Sequence, residues 1–155
     1  MMFTRSLRRS TPSLVLMLLL MLATVSTAWA REMVSAARDG TMLRAGPGTK
    51  HEARWSVDRG YPLEVLRRQG GWLQVRDFEG DRSWVARSVT NRQRHVVSTA
   101  ARLNIRASAG LKARILAVAE YGEVLRVMGS QGDWLKVRSS HGRVGWVSKK
   151  LTWGY

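Results

Sequence analysis

The stretch Gln69-Gly70-Gly71-Trp72-Leu73-Gln74-Val75-Arg76 is written a second time 62 residues later, as Gln131-Gly132-Asp133-Trp134-Leu135-Lys136-Val137-Arg138. Working outward at the same offset, Leu63-Glu64-Val65 meets Leu125-Arg126-Val127. Leu43-Arg44-Ala45 meets Ile105-Arg106-Ala107, and Trp84-Val85 meets Trp146-Val147. Gly48 meets Gly110 and Gly60 meets Gly122. Over residues 34–90 the overlay has no gap, and 18 of 57 positions are identical. What repeats is a skeleton of aliphatic residues, glycines and tryptophans, while the charges drift. A self-similar period of this kind marks a duplicated structural unit, and two copies are too few for a stacked solenoid. Each copy is therefore expected to close on itself.

Within a copy the signals are those of strands. Leu63 to Arg67 alternates, Arg68 to Gly71 turns, Trp72 to Arg76 alternates, Asp77 to Asp81 turns, and Ser83 to Ala86 forms a further short strand. Alternating runs joined by a glycine-bearing turn read as hairpins. The second copy repeats this with Val124–Val127, Trp134–Arg138 and Val144–Val147. No stretch keeps apolar residues at helical spacing. The expected class is all-β: two tandem small barrels, closure being one way to remove exposed sheet edges. Period two sends Leu73, Val75, Leu135 and Val137 inward. It leaves Trp72, Gln74 and Arg76, and likewise Trp134, Lys136 and Arg138, on the other face. For Trp72 and Trp134 both a packing and a ligand role stay open, whereas Trp84 and Trp146 are assigned to packing. In Leu43-Arg44-Ala45-Gly46-Pro47-Gly48 the glycines and proline suit a tight reversal. Gly48 and Gly110 are read as a backbone demand.

The motifs, taken in order, resemble the bacterial SH3 (SH3b) domain. They are Leu43-Arg44-Ala45-Gly46-Pro47-Gly48, Gly60-Tyr61-Pro62-Leu63-Glu64-Val65, Gly71-Trp72-Leu73-Gln74-Val75 and Gly80-Asp81-Arg82-Ser83-Trp84-Val85. Arg54-Trp55 followed by Pro62 to Val65 is similar to the subgroup found as tandem copies in exported proteins. Leu103-Asn104-Ile105-Arg106 and Gly142-Arg143-Val144-Gly145-Trp146-Val147 resemble the general pattern. Departures are Ala109 for Pro47, Met42 where asparagine is usual, and Ser83 for the usual glycine. Neither copy has the tyrosine cluster that grips proline-rich peptides in eukaryotic relatives, so that activity would rest on fold analogy alone. The resemblance implies SH3-like barrels that target or scaffold, often beside cell-wall hydrolases.

Residues 1–30 read as a secretory signal peptide. Arg5, Arg8 and Arg9 precede a mainly apolar run from Leu14 to Val25, and Ala28-Trp29-Ala30 places cleavage between Ala30 and Arg31. With no cysteine in the chain, neither a lipid anchor nor disulfide staples are expected. The expected organisation is a signal peptide at 1–30, a first barrel at 31–90, a linker at 91–95 and a second barrel at 96–155. The connection Asn91-Arg92-Gln93-Arg94 is short and polar, which should limit swinging. No transmembrane segment is expected after cleavage, and the location is periplasmic or envelope-associated.

Charge narrows the partners. The chain carries 26 Lys+Arg against 11 Asp+Glu, and removing the three leader arginines leaves 23 against 11. Such a protein is drawn to anionic polymers. The expected partner is peptidoglycan or an envelope protein, with Trp72 and Trp134 stacking and Arg44, Arg76, Arg106, Lys136 and Arg138 meeting carboxylates or phosphates. The alternative is nonspecific polyanion binding by charge alone. Specific nucleic-acid recognition is not expected. A hydrolase accessory or fragment is a minor alternative, and the protein is not read as an enzyme. His51, His95 and His141 are isolated at unrelated repeat positions and read as surface residues; Asp77 and Glu79 read as a solvated turn. No catalytic residues, no metal site and no cofactors are expected.

Overall fold

A computed structural model describes residues 30–155; the stretch assigned to the leader falls outside the described residues apart from Ala30. Regular structure is almost entirely strand. The first seven strands are β1 (Met33–Ala36), β2 (Thr41–Arg44), β3 (Ala53–Val57), β4 (Pro62–Gln69), β5 (Trp72–Arg76), β6 (Arg82–Ala86) and β7 (Thr90–Asn91). A 3-10 turn, Arg87–Val89, leads into β7. The second seven are β8 (His95–Ser98), β9 (Arg102–Arg106), β10 (Ile115–Glu120), β11 (Val124–Gln131), β12 (Trp134–Arg138), β13 (Val144–Ser148) and β14 (Thr152–Trp153). Among the described residues no helix is long and apolar enough to cross a membrane.

The two sheets share one topology. The strand order is β3-β2-β6-β5-β4-β1-β7 in the first and β10-β9-β13-β12-β11-β8-β14 in the second, so adding seven to each label converts one into the other. All pairings are antiparallel, from β1 with β4 to β8 with β14. The strands β4 and β11 bend at matching bulges, between Val65 and Arg67 and between Val127 and Gly129. A bulge adds a residue on one strand and sharpens its twist, which lets a short sheet curl around a small core. The β4–β5 and β11–β12 hairpins close through two residues, with Gly70 at φ 56° and Gly132 at φ 53°. That left-handed conformation costs a side chain about 1–2 kcal/mol, which accounts for the repeated glycine.

Alternation delivers the expected cores. Leu43, Leu63, Leu73, Val75 and Val85 fill the first barrel with Val34, Ala36 and Val57. At the same offset Ile105, Leu125, Leu135, Val137 and Val147 fill the second, with Val96 and Ala119. Aliphatic matching fails at three buried pairs, Ser35 with Val97, Ala36 with Ser98 and Thr41 with Leu103. The Thr41 hydroxyl is buried and donates to the Arg38 carbonyl at 2.8 Å.

Turn residues repeat a function with different chemistry. The Asp77 carboxylate accepts from the Glu79 and Asp81 backbone N–H groups at 3.0 and 2.9 Å. Ser139 Oγ accepts from the Arg143 N–H at 3.2 Å. Asp77 is buried, so it is a staple inside the turn and not the solvated carboxylate its loop position suggested. Gly110 likewise differs from expectation: it lacks a positive φ, and a Cβ there would meet open space.

The barrels meet along a packed seam. Ser35 Oγ donates to the Gln93 carbonyl at 2.8 Å, and His95 Nδ1 lies 3.1 Å from Ser35 Oγ and 3.0 Å from the Gln93 carbonyl. A Cβ on Gly60 would stand 2.9 Å from the His95 ring. Phe78 sits between Tyr61 and Tyr121, at 6.3 and 5.4 Å between ring centroids. His95 is therefore a half-buried seam residue, unlike the surface position its isolation in sequence implied. Of the stretch read as a linker, Asn91 ends β7 and His95 begins β8.

A candidate ligand-binding face

The outward side chains of the central three strands form three cross-strand rows on each barrel. On the first barrel they are Gln69–Trp72–Ala86, Arg67–Gln74–Trp84 and Glu64–Arg76–Arg82. On the second they are Gln131–Trp134–Ser148, Gly129–Lys136–Trp146 and Arg126–Arg138–Val144. Residues opposite each other in antiparallel strands share a face, and diagonal neighbours remain within reach of long side chains. Trp134, Lys136 and Arg138 are thus brought onto one face, and Trp72 and Arg76 onto its counterpart. Trp146, assigned to packing from sequence, joins the outer face of the second barrel beside Lys136.

On the first barrel this face is occupied by the protein's own groups. Arg76 donates to Glu64 Oε2 from Nε at 3.0 Å and from Nη2 at 2.6 Å. Arg31 Nε stands 3.9 Å from the other Glu64 oxygen. Glu64 is 8% exposed, so the carboxylate is held in a largely closed site. The Arg67 guanidinium carbon lies 5.1 Å from the centre of the Trp84 ring. That cation–π cover helps leave Trp84 only 6% exposed.

On the second barrel both covers are gone. Arg126 stands where Glu64 stands, opposite Arg138. Gly129 stands where Arg67 stands, and Trp146 is half-buried, with no cation over its ring among the described residues. Arg126 and Arg138 form no ion pair within 4.0 Å among the described residues. Arg126 Nη2 donates to Gln93 Oε1 at 3.2 Å. Both arginines line a shallow cleft with Val127 and Met128. Nearby, Tyr155 takes Arg94 and Lys149 at 4.1 and 4.7 Å from its ring centre. The Ser130 hydroxyl, then Arg94, lowers its phenol below the ordinary range.

Arg44 and Arg106 extend the middle rows, opposite Trp84 and Trp146 in register, and each also ties down a loop. Arg44 Nη1 donates to the His51 carbonyl at 2.8 Å and to the Thr49 carbonyl at 3.3 Å. Arg106 Nη1 donates to the Ala113 carbonyl at 2.9 Å. His51 and Ala113 are equivalent repeat positions, so each arginine clasps the same point of its long β2–β3 or β9–β10 loop. Among the described residues no three His, Asp or Glu side chains converge as metal ligands would.

Arg126 and Trp146 are the residues that sequence reasoning passed over. The signal for Arg126 was present in the overlay, where Glu64 becomes Arg126 while Arg76 stays Arg138. Reading it required the strand register that sets those positions opposite each other.

The fold is a tandem pair of small antiparallel barrels with matching outer faces. The bacterial SH3 domain matches residues 37–91 and again residues 101–152, and the chain belongs to that family. Its members are typical cell-wall-binding modules and in general non-catalytic. The chain is 25% identical over 125 residues to the putative N-acetylmuramoyl-L-alanine amidase YrvJ of Bacillus subtilis (strain 168). That match covers 74% of this chain but 24% of the relative, so the chain spans about a quarter of that protein's length. Among solved structures it is similar to NlpC2 from Trichomonas vaginalis, at TM-score 0.35 and 10% identity over 82% of this chain and 49% of that one. For NlpC1 from the same organism the values are 0.34, 11%, 85% and 49%.

Proposed function

We propose that the protein is an exported, non-catalytic module of the bacterial envelope that binds peptidoglycan or an envelope protein through its barrels. The apolar run after Arg5, Arg8 and Arg9 supports export across the inner membrane, to the periplasm or envelope. The observation that carries the binding reading is the second barrel's outer face, where Trp134 and Trp146 lie diagonally about Lys136 with Arg138 in the next row. Indoles offer flat apolar surface for a sugar ring or peptide. Guanidinium suits carboxylates and phosphates because its planar fork can bond them in pairs. The relative that bears the name putative N-acetylmuramoyl-L-alanine amidase supports a wall ligand and an accessory role beside hydrolysis.

Co-sedimentation with purified sacculi tests this. Wild-type protein should pellet, and Trp134→Ala should lower the pelleted fraction more than Trp72→Ala. A salt series separates the reading from binding by charge alone, which decays steeply with salt and ignores tryptophan substitutions. Wild-type protein left in the supernatant at low salt rules the wall reading out.

A further inference from the structure

We propose that the second barrel holds a doubly charged oxyanion between Arg126 and Arg138, and that the first barrel has no such site because Glu64 already fills it. The duplication supplies the argument. At one and the same register position the first barrel presents a carboxylate bound by Arg76 Nε and Nη2, with Arg31 on its far side. That arrangement shows what this strand pair accepts: an oxyanion held by the β5 arginine through two N–H groups on one oxygen. In the second barrel the arginine is kept and the carboxylate is replaced by a second arginine. Like charges directly opposite in a sheet are destabilising by themselves. The pair becomes favourable when an external anion takes the place Glu64 occupies in the first barrel.

The surroundings leave room for it. The cleft that the two arginines line has a volume of about 360 Å³. Glu123 and Asp58 border the adjoining hollow, yet neither forms an ion pair with Arg126 or Arg138. Glu123 is engaged in accepting from the Glu120 backbone N–H. Gln93 steadies Arg126 through its amide oxygen. The shared chemistry is a compact oxyanion, a phosphate or a pair of carboxylates. The proposal rests on the wall-binding reading only for where that anion comes from.

The test uses Arg126→Glu, which rebuilds the first barrel's internal pair and should therefore fold. Arg138→Gln is the second variant. Arg82→Glu, an exposed change of equal charge on the first barrel, is the control. Phosphate and malonate are titrated in separate arms at constant ionic strength maintained with sodium chloride. Binding is read from chemical shifts of the arginine Nε–H groups. Wild type and Arg82→Glu should saturate, while Arg126→Glu and Arg138→Gln should weaken at least about tenfold, the loss of one charge-assisted bidentate partner. Tighter phosphate or tighter malonate names the source as a phosphate-bearing polymer or a carboxylate-bearing peptide. No saturation beyond chloride, or Arg126→Glu binding within twofold of wild type, overturns the proposal. Sacculus sedimentation is read separately: a wild type that binds malonate but never pellets sinks the wall reading and leaves this site standing.

Discussion

Single residues divide into those that repeat a shape and those that repeat a duty with new chemistry. Leu73 and Leu135 belong to the first kind, both buried at the centre of their barrels. Leu135→Ala removes the same methyl groups from a core of few residues, and is expected to cost about 2–5 kcal/mol in denaturant unfolding. Asp77 and Ser139 belong to the second kind. Asp77→Ala takes the buried carboxylate acceptor away from the Glu79 and Asp81 backbone N–H groups and should cost about 1–3 kcal/mol. Asp77→Ser should recover part of that loss, since Ser139 already serves the second turn. Urea midpoints of the three proteins check the order wild type, Ser, Ala.

At the scale of strands, a register position carries more meaning than a residue type. The row Arg67–Gln74–Trp84 becomes Gly129–Lys136–Trp146, and the change uncovers an indole. Gly129→Arg is sterically open, because a Cβ there would lie 4.0 Å from the Lys136 Cβ, ordinary contact distance. The new guanidinium should cover Trp146 as Arg67 covers Trp84. Acrylamide quenching of tryptophan fluorescence should fall, and sacculus binding should fall with it. Unchanged quenching would mean that β11 does not hold the row alignment of β4. The hairpin glycines give a control of a different kind. Gly132→Ala places a side chain at φ 53° and should cost roughly 1–2 kcal/mol without altering the outer face.

The two barrels are held together by a seam that contains a titrating group. Burial lowers the His95 pKa from its ordinary 6.5, with Arg126 adding to the effect and the Gln93 carbonyl opposing it. Ser35 lies at hydrogen-bond distance, and Asp58, Arg59, Glu123 and Arg138 line the same hollow as His95. The unfolded chain therefore takes up a proton here more readily than the folded one. Stability from this group is complete above about 6.5 and is lost as pH falls through that value toward the folded pKa. Thermal melts from pH 8 to 5 should show a decline that His95→Gln flattens. The aromatic trio Tyr61, Phe78 and Tyr121 couples the barrels from the other side of the seam, with burial and nearby Asp77 raising the Tyr61 phenol above its usual range.

What the amino-acid sequence determined alone was the pair of barrels and their inner faces. Alternation is local, and a gapless overlay transmits it from one copy to the other, so Leu73, Val75, Leu135 and Val137 were placeable without coordinates. The outward placement of Trp134, Lys136 and Arg138 followed from the same period. The loop-clasping bonds of Arg44 and Arg106, the half-buried place of His95 and the pairing of Arg126 with Arg138 were decided only by the tertiary structure. Each depends on which strand lies beside which and in what register, and on how one barrel leans on the next. Those are relations between residues distant along the chain, and no local period encodes them.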